Sequence, residues 1–181
     1  MISVIGGKLT TVGSLARDCA AKIGVESSAP MLAVSSETDA DVAMEQSVSE
    51  VAKRGGIARD AARGIVEWYG KRAFAVADLA RGSAGMRAPL CPHTQHIVAE
   101  AAYGFSSECA STLADVLLRR VPVALGSCWS SSCSREAATR IGAVMAWSET
   151  RVALELETFE RERDGFLRKV SQVETIAEAK A

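Results

Sequence analysis

The sequence predicts an all-α fold, on three observations. Alanine is abundant and proline occurs only four times in 181 residues, so little interrupts a helix. Apolar residues recur at three- and four-residue spacing through most of the chain. No run alternates with period two for long enough to make a strand, except Ile2 to Ile5. The expectation is a helical domain of about six to eight helices with a short N-terminal strand.

The elements are expected in this order. Ile2 to Ile5 ends in Gly6-Gly7, a turn before the first helix. That helix runs from Thr11 to Ile23, with Leu15, Cys19 and Ile23 on one face and Gly24 as its left-handed terminator. Glu26 to Asp41, rich in Ser, Thr, Asp and Ala, reads as a linker. A helix over Val42–Arg54 stops at Gly55-Gly56. The next, Ala58–Tyr69, carries Ala61, Ala62, Ile65, Trp68 and Tyr69 as its apolar stripe. Gly70 breaks it, and Lys71–Arg81 continues as another helix. Gly82–Cys91 is a loop, and His93–Ser106 leads into a helix over Glu108–Arg120 with Cys109, Leu113, Val116 and Leu117 on one face. Pro122 ends that helix, and Gly126–Ser134 reads as a loop. Ala137, Ala138, Ile141, Val144 and Met145 line one closing helix. Ser148 caps the other, in which Val152, Leu156, Phe159 and Phe166 share a face and Glu155, Glu157, Glu160, Arg161, Glu162 and Arg163 are solvated. Beyond Lys169 the tail is expected to fray.

Composition bounds the function. Hydrophobic residues make up 48% and charged residues 24%, with a net charge of −1. That is the balance of an ordinary globular chain. It offers no long-range attraction for nucleic acid, and Arg119-Arg120 is too small a basic feature to make a stripe. No stretch approaches the ~18–20 apolar residues of a spanning helix. Met1 to Leu9 is too short and too interrupted for a secretory signal. Five cysteines without a signal point to reduced thiols in the cytosol.

Three segments are more specific. They are Gly6-Gly7-Lys8-Leu9-Thr10-Thr11; then Ala99-Glu100-Ala101-Ala102-Tyr103 with Glu108-Cys109-Ala110-Ser111-Thr112-Leu113-Ala114-Asp115-Val116-Leu117-Leu118-Arg119-Arg120; and Ala146-Trp147-Ser148-Glu149-Thr150-Arg151 ahead of an amphipathic helix. In this order, with Trp68-Tyr69-Gly70 between helices, they resemble the C-terminal region of FAD-dependent glycerol-3-phosphate dehydrogenases. The resemblance implies that residues 1–12 end a flavin domain, 13–170 form the C-terminal helical domain and 171–181 are a tail. It implies an enzyme that oxidises sn-glycerol 3-phosphate to dihydroxyacetone phosphate and sends electrons through FAD to quinone.

By the same resemblance Gly6, Gly7, Lys8, Leu9 and Thr10 contact the cofactor, and Lys8 also reaches the substrate phosphate. The physics of that segment agrees. Two glycines admit a flat ligand close to the backbone. The helix that follows turns its free N–H groups and positive dipole end towards the loop. The family carries an aromatic and an arginine after the two threonines; here Val12 and Gly13 stand instead. The glycine-rich dinucleotide fingerprint is not among these residues. The chain alone is therefore expected to bind no FAD and to be inactive, with no catalytic residue of its own. Its expected partner is an FAD-binding domain in the same or a separate chain, alongside a homo-oligomeric state and no nucleic acid. The expected location is cytoplasmic, with peripheral contact at the inner membrane face only through the full enzyme. The alternative class is a non-enzymatic helical interaction module derived from that domain.

Cys91, His93, His96, Cys128 and Cys133 invite a metal reading. Neither the Cys91-Pro92-His93 spacing nor the interval from Cys128 to Cys133 is that of a common zinc motif. They read as loop histidines and half-buried thiols, and no metal is assigned. Glu100, Glu108 and Asp115 read as surface or ion-pair groups, with Asp115 and Arg119 one turn apart. Trp68 and Trp147 are expected in the core, and Trp129 at an exposed contact.

Overall fold

The computed structural model describes residues 12–24 and 37–178. It forms two compact units, Met1–Ala40 and Asp41–Ala181. In the first, α1 (Val12–Lys22) ends where Gly24 takes a φ of 75°. Leu15 and Cys19 are half-buried, and Ile23 is exposed. The expected strand Ile2–Ile5 and the loop Gly6–Thr11 lie outside the described residues.

Seven further α-helices follow: α2 (Glu37–Gly55), α3 (Arg59–Tyr69), α4 (Ala73–Gly82), the single turn α5 (Ala84–Arg87), α6 (Val98–Ser107), α7 (Ser131–Val144) and α8 (Glu149–Glu178). A 3-10 turn, Gly70–Arg72, joins α3 to α4, and a π-helical segment, Asp115–Arg120, lies between α6 and α7. No strand occurs among the described residues, where one isolated antiparallel bridge pairs Pro89 with Ile97. The all-α reading holds. Helix α2 begins at Glu37, within the expected linker, and α8 runs to Glu178.

Two apolar clusters share α6 as a common wall. One gathers Val48 and Val51 of α2, Ala62 and Ile65 of α3, and Val76, Ala77 and Ala80 of α4 against Ala99 and Tyr103. The other gathers Leu113, Val116 and Leu117 with Ala137, Ala138 and Ile141 of α7 and Phe159 of α8, against Val98 and Ala101. Every residue from Val98 to Gly104 is buried. A helix apolar on all sides belongs in the middle of a fold, and α6 is there. Tyr69 meets Tyr103 edge-on, ring centroids 5.6 Å apart. Helices α7 and α8 approach so closely at Gly142 that an added Cβ would lie 2.5 Å from Val152 Cγ2.

Four expectations need correction. The helix expected over Glu108–Arg120 is interrupted at its start: Glu108 closes α6 and Cys109 takes a φ of 57°. Helical structure resumes at Leu113, because Thr112 makes a new N-terminus. Its Oγ1 accepts from the Asp115 N–H at 3.1 Å, and Asp115 Oδ2 accepts from the Thr112 N–H at 3.0 Å. This reciprocal pair satisfies donors a helix start leaves open. The turn then widens, with the Val121 N–H reaching the Val116 carbonyl, five residues back, at 2.8 Å.

Second, the tryptophans exchange places. Trp129 is buried, its Nε1 donating to Ser134 Oγ at 2.9 Å. The ring of Trp68 is 53% exposed, and its Nε1 donates to the Arg120 carbonyl at 2.9 Å. Third, Gly126–Ser134 is not all loop, since Ser130 caps α7 and accepts from the Cys133 N–H. Finally, Phe166 is 48% exposed while Phe159, on the same predicted face, is wholly buried.

Candidate functional site

The second and third distinctive segments meet in space. The Glu155 side chain of α8, expected in solvent, is buried: its Oε2 accepts from the Leu113 N–H at 2.7 Å. It thereby satisfies an open donor at the head of the neighbouring helix. Arg151, one turn back, donates from Nε to Glu155 Oε1 at 2.8 Å. Its guanidinium also lies 5.3 Å from the Trp147 ring centroid, a favourable cation–π distance. Trp147 in turn meets Phe105 of α6 edge-on at 5.6 Å. Ser148 Oγ accepts from the Arg151 N–H at 3.2 Å, as its capping role predicts. Arg151 precedes Glu155 by one helical turn in the sequence; no signal there announces that Glu155 is buried against another helix.

The double arginine closes the same assembly. Arg119 bridges Asp115 and Glu162, at 3.4 and 2.9 Å. Arg120 Nε donates to the Glu108 carbonyl at 2.9 Å. Partial burial raises the pKa of Asp115, but hydrogen bonds from Ser111 and Thr112 outweigh it and hold the carboxyl below its usual range. These charges are spent within the fold. A shallow cleft on α7 behaves likewise: Arg140 donates to Glu136 and to the Pro89 carbonyl at its edge.

Glu100, read as a surface or ion-pair group, is fully buried on α6 and paired there. Its Oε1 accepts from the Ile97 N–H and its Oε2 meets His96 Nδ1, both at 2.8 Å. Burial pulls the His96 pKa down, and the hydrogen bond and charge of Glu100 more than reverse this, leaving it raised. This pair and the Pro89–Ile97 bridge fix the loop leading into α6.

That loop presents Cys91 and His93. Pro92 occupies the second position of a turn closed by the Thr94 N–H on the Cys91 carbonyl at 3.4 Å, where its fixed φ fits. Cys91 and Cys133 are buried, and His93 is exposed. Ligand atoms of all three lie within 4.8 Å of one another, with Cys133 Sγ 3.4 Å from His93 Nδ1. Burial pushes the Cys91 thiol up. For Cys133 burial acts the same way, but hydrogen bonds from Ser130, His93 and Cys91 prevail and lower it to about 7. The structure thus joins three of the five Cys/His residues singled out in the sequence. Cys128 sits on the adjoining turn and is exposed. His96 turns away to Glu100.

The flavin-loop residues Gly6, Gly7, Lys8, Leu9 and Thr10 lie outside the described residues. Among the described residues, no helix is long and apolar enough to cross a membrane.

The architecture is an all-α domain built around one buried helix. Residues 34–152 match the family described as the C-terminal domain of alpha-glycerophosphate oxidase, and the chain belongs to that family. The match covers the helix-rich second and third segments and stops short of Gly6–Thr11. No curated protein and no solved structure matches the chain.

Proposed function

We propose that the chain serves as the C-terminal helical domain of an FAD-dependent enzyme that oxidises sn-glycerol 3-phosphate to dihydroxyacetone phosphate and passes the electrons to quinone. The family match over residues 34–152 carries this reading. In support, the segments that resemble the family are not loose surface sequence: Glu155, Arg151 and Trp147 lock onto Leu113, Ser111 and Phe105. The domain's role is to support an FAD-binding domain. By the family resemblance, Gly6, Gly7, Lys8, Leu9 and Thr10 would complete the flavin pocket, and Lys8 would serve the substrate phosphate. Bound FAD would supply the hydride acceptor for the reaction. Lys8 would hold positive charge beside the pyrimidine edge, where negative charge gathers on reduction.

The test is reconstitution. The chain is mixed with a separately produced FAD domain from the same source, and glycerol-3-phosphate-dependent dye reduction is followed. Activity needing both pieces, and reduced at least tenfold by Lys8→Ala, is the expected result. Activity indifferent to this chain would overturn the reading in favour of a helical interaction module.

A further inference from the structure

We propose that Cys91, His93 and Cys133, with Cys128 as the fourth ligand, form a structural zinc site that fastens the loop before α6 to the head of α7. The proposal does not depend on the flavoenzyme reading.

The donor set selects the metal. Two or three thiolates and one imidazole are the ligands zinc favours over calcium, magnesium or manganese. The geometry is close to what zinc requires. Thiolate sulfurs about 2.3 Å and an imidazole nitrogen about 2.0–2.1 Å from the ion stand roughly 3.5–3.8 Å apart at the corners of a tetrahedron. Cys133 Sγ and His93 Nδ1 are already 3.4 Å apart, and no pair in the triad exceeds 4.8 Å. Cys128 stands outside that group of three and would swing in from its exposed turn to complete the four.

The backbone also prepares the site. The Pro92 turn brings Cys91 and His93 together, with their ligand atoms within 4.8 Å of each other. Cys133 is the third residue of α7, beneath the Ser130 cap, where free N–H groups and the helix dipole favour a thiolate. Cys128 lies five residues before it, on a turn closed by the Trp129 N–H on the Gly126 carbonyl at 3.1 Å. Both Cys128 and His93 are exposed, so an ion has a path in from solvent. Trp129 beside the site is anchored by Ser134 and by Arg163, which donates to its carbonyl. These bonds tie the segment after Cys128 to α7 and α8.

The test uses the full chain, purified without a metal-affinity tag. Elemental analysis is expected to find one zinc per chain. Exchange with Co(II) is expected to give the thiolate charge-transfer band and strong visible bands of a tetrahedral sulfur-rich site. His93→Ala and Cys128→Ser, at exposed positions and checked for retained helix by circular dichroism, should each weaken or abolish that spectrum; Cys19→Ser should leave it intact. Thiol titration of the native zinc form should find three cysteines protected, and chelation should release them. A chain that folds yet takes up neither zinc nor cobalt, or that instead forms a Cys91–Cys133 disulfide, would overturn the site. A cobalt spectrum indifferent to Cys128→Ser would overturn the assignment of the fourth ligand.

Discussion

At the residue scale, the buried acids govern behaviour. Glu100 and Glu155 both sit where a helix begins, and both use their oxygens on open backbone N–H groups as well as on a cation. Removing such a partner leaves a buried donor unsatisfied, at a cost of about 1–3 kcal/mol. Glu155→Ala is expected to destabilise by about that amount, read from the urea midpoint. His96 adds a pH dependence. Its folded-state pKa lies above the ordinary 6.5, so the folded form binds the proton more tightly than the unfolded chain does. The resulting stabilisation is complete below pH 6.5 and is lost as pH rises through the folded value. Urea midpoints on either side of that range should show the loss, and His96→Gln should flatten it. An unchanged slope in the variant would remove His96 from the account.

At the element scale, close approach matters more than propensity. Alanine at Gly142 would improve the intrinsic stability of α7 by roughly 1 kcal/mol. It would also drive a Cβ to within 2.5 Å of Val152 Cγ2, and overpacking of that kind costs about 1–3 kcal/mol. The clash is expected to win. Gly142→Ala should lower stability, and adding Val152→Ala should restore most of the loss. A Gly142→Ala chain as stable as its parent would mean that α7 and α8 part freely.

The helices themselves were largely legible in the sequence. Gly24, Gly56 and Gly70, all at positive φ, end or break α1, α2 and α3 where the pattern predicts. What sequence could not supply was partnership across the fold. Thr112 and Asp115 carry a capping signature, but the helical spacing of Glu108–Arg120 hides it. Glu155 and Trp129 look polar or exposed because their burying neighbours, Leu113 and Ser134, belong to other elements or to a helix start masked by serines. Cys91, His93 and Cys133 were visible as residues. Only the meeting of the Cys91–His93 loop with the first turn of α7 makes them a cluster.

At the scale of the whole molecule, the two apolar clusters share one helix and should melt together. Ile65→Ala in the first and Ile141→Ala in the second each empty a fully buried position, at about 2–5 kcal/mol. Both are expected to move one common transition, with near- and far-ultraviolet dichroism coinciding. Separate transitions would show that α6 does not couple them. Surface ion pairs such as Arg54–Asp78 at 2.5 Å add little to this balance.

The position of α6 also bears on synthesis. A ribosome releases α2, α3 and α4 before Val98–Ser107 exists, and the cluster they form lacks its Ala99 and Tyr103 wall until that helix emerges. The nascent first half therefore waits as exposed surface, open to chaperones and to its own kind. Eight buried or half-buried residues near the middle of the chain, Val98 to Phe105, end that wait.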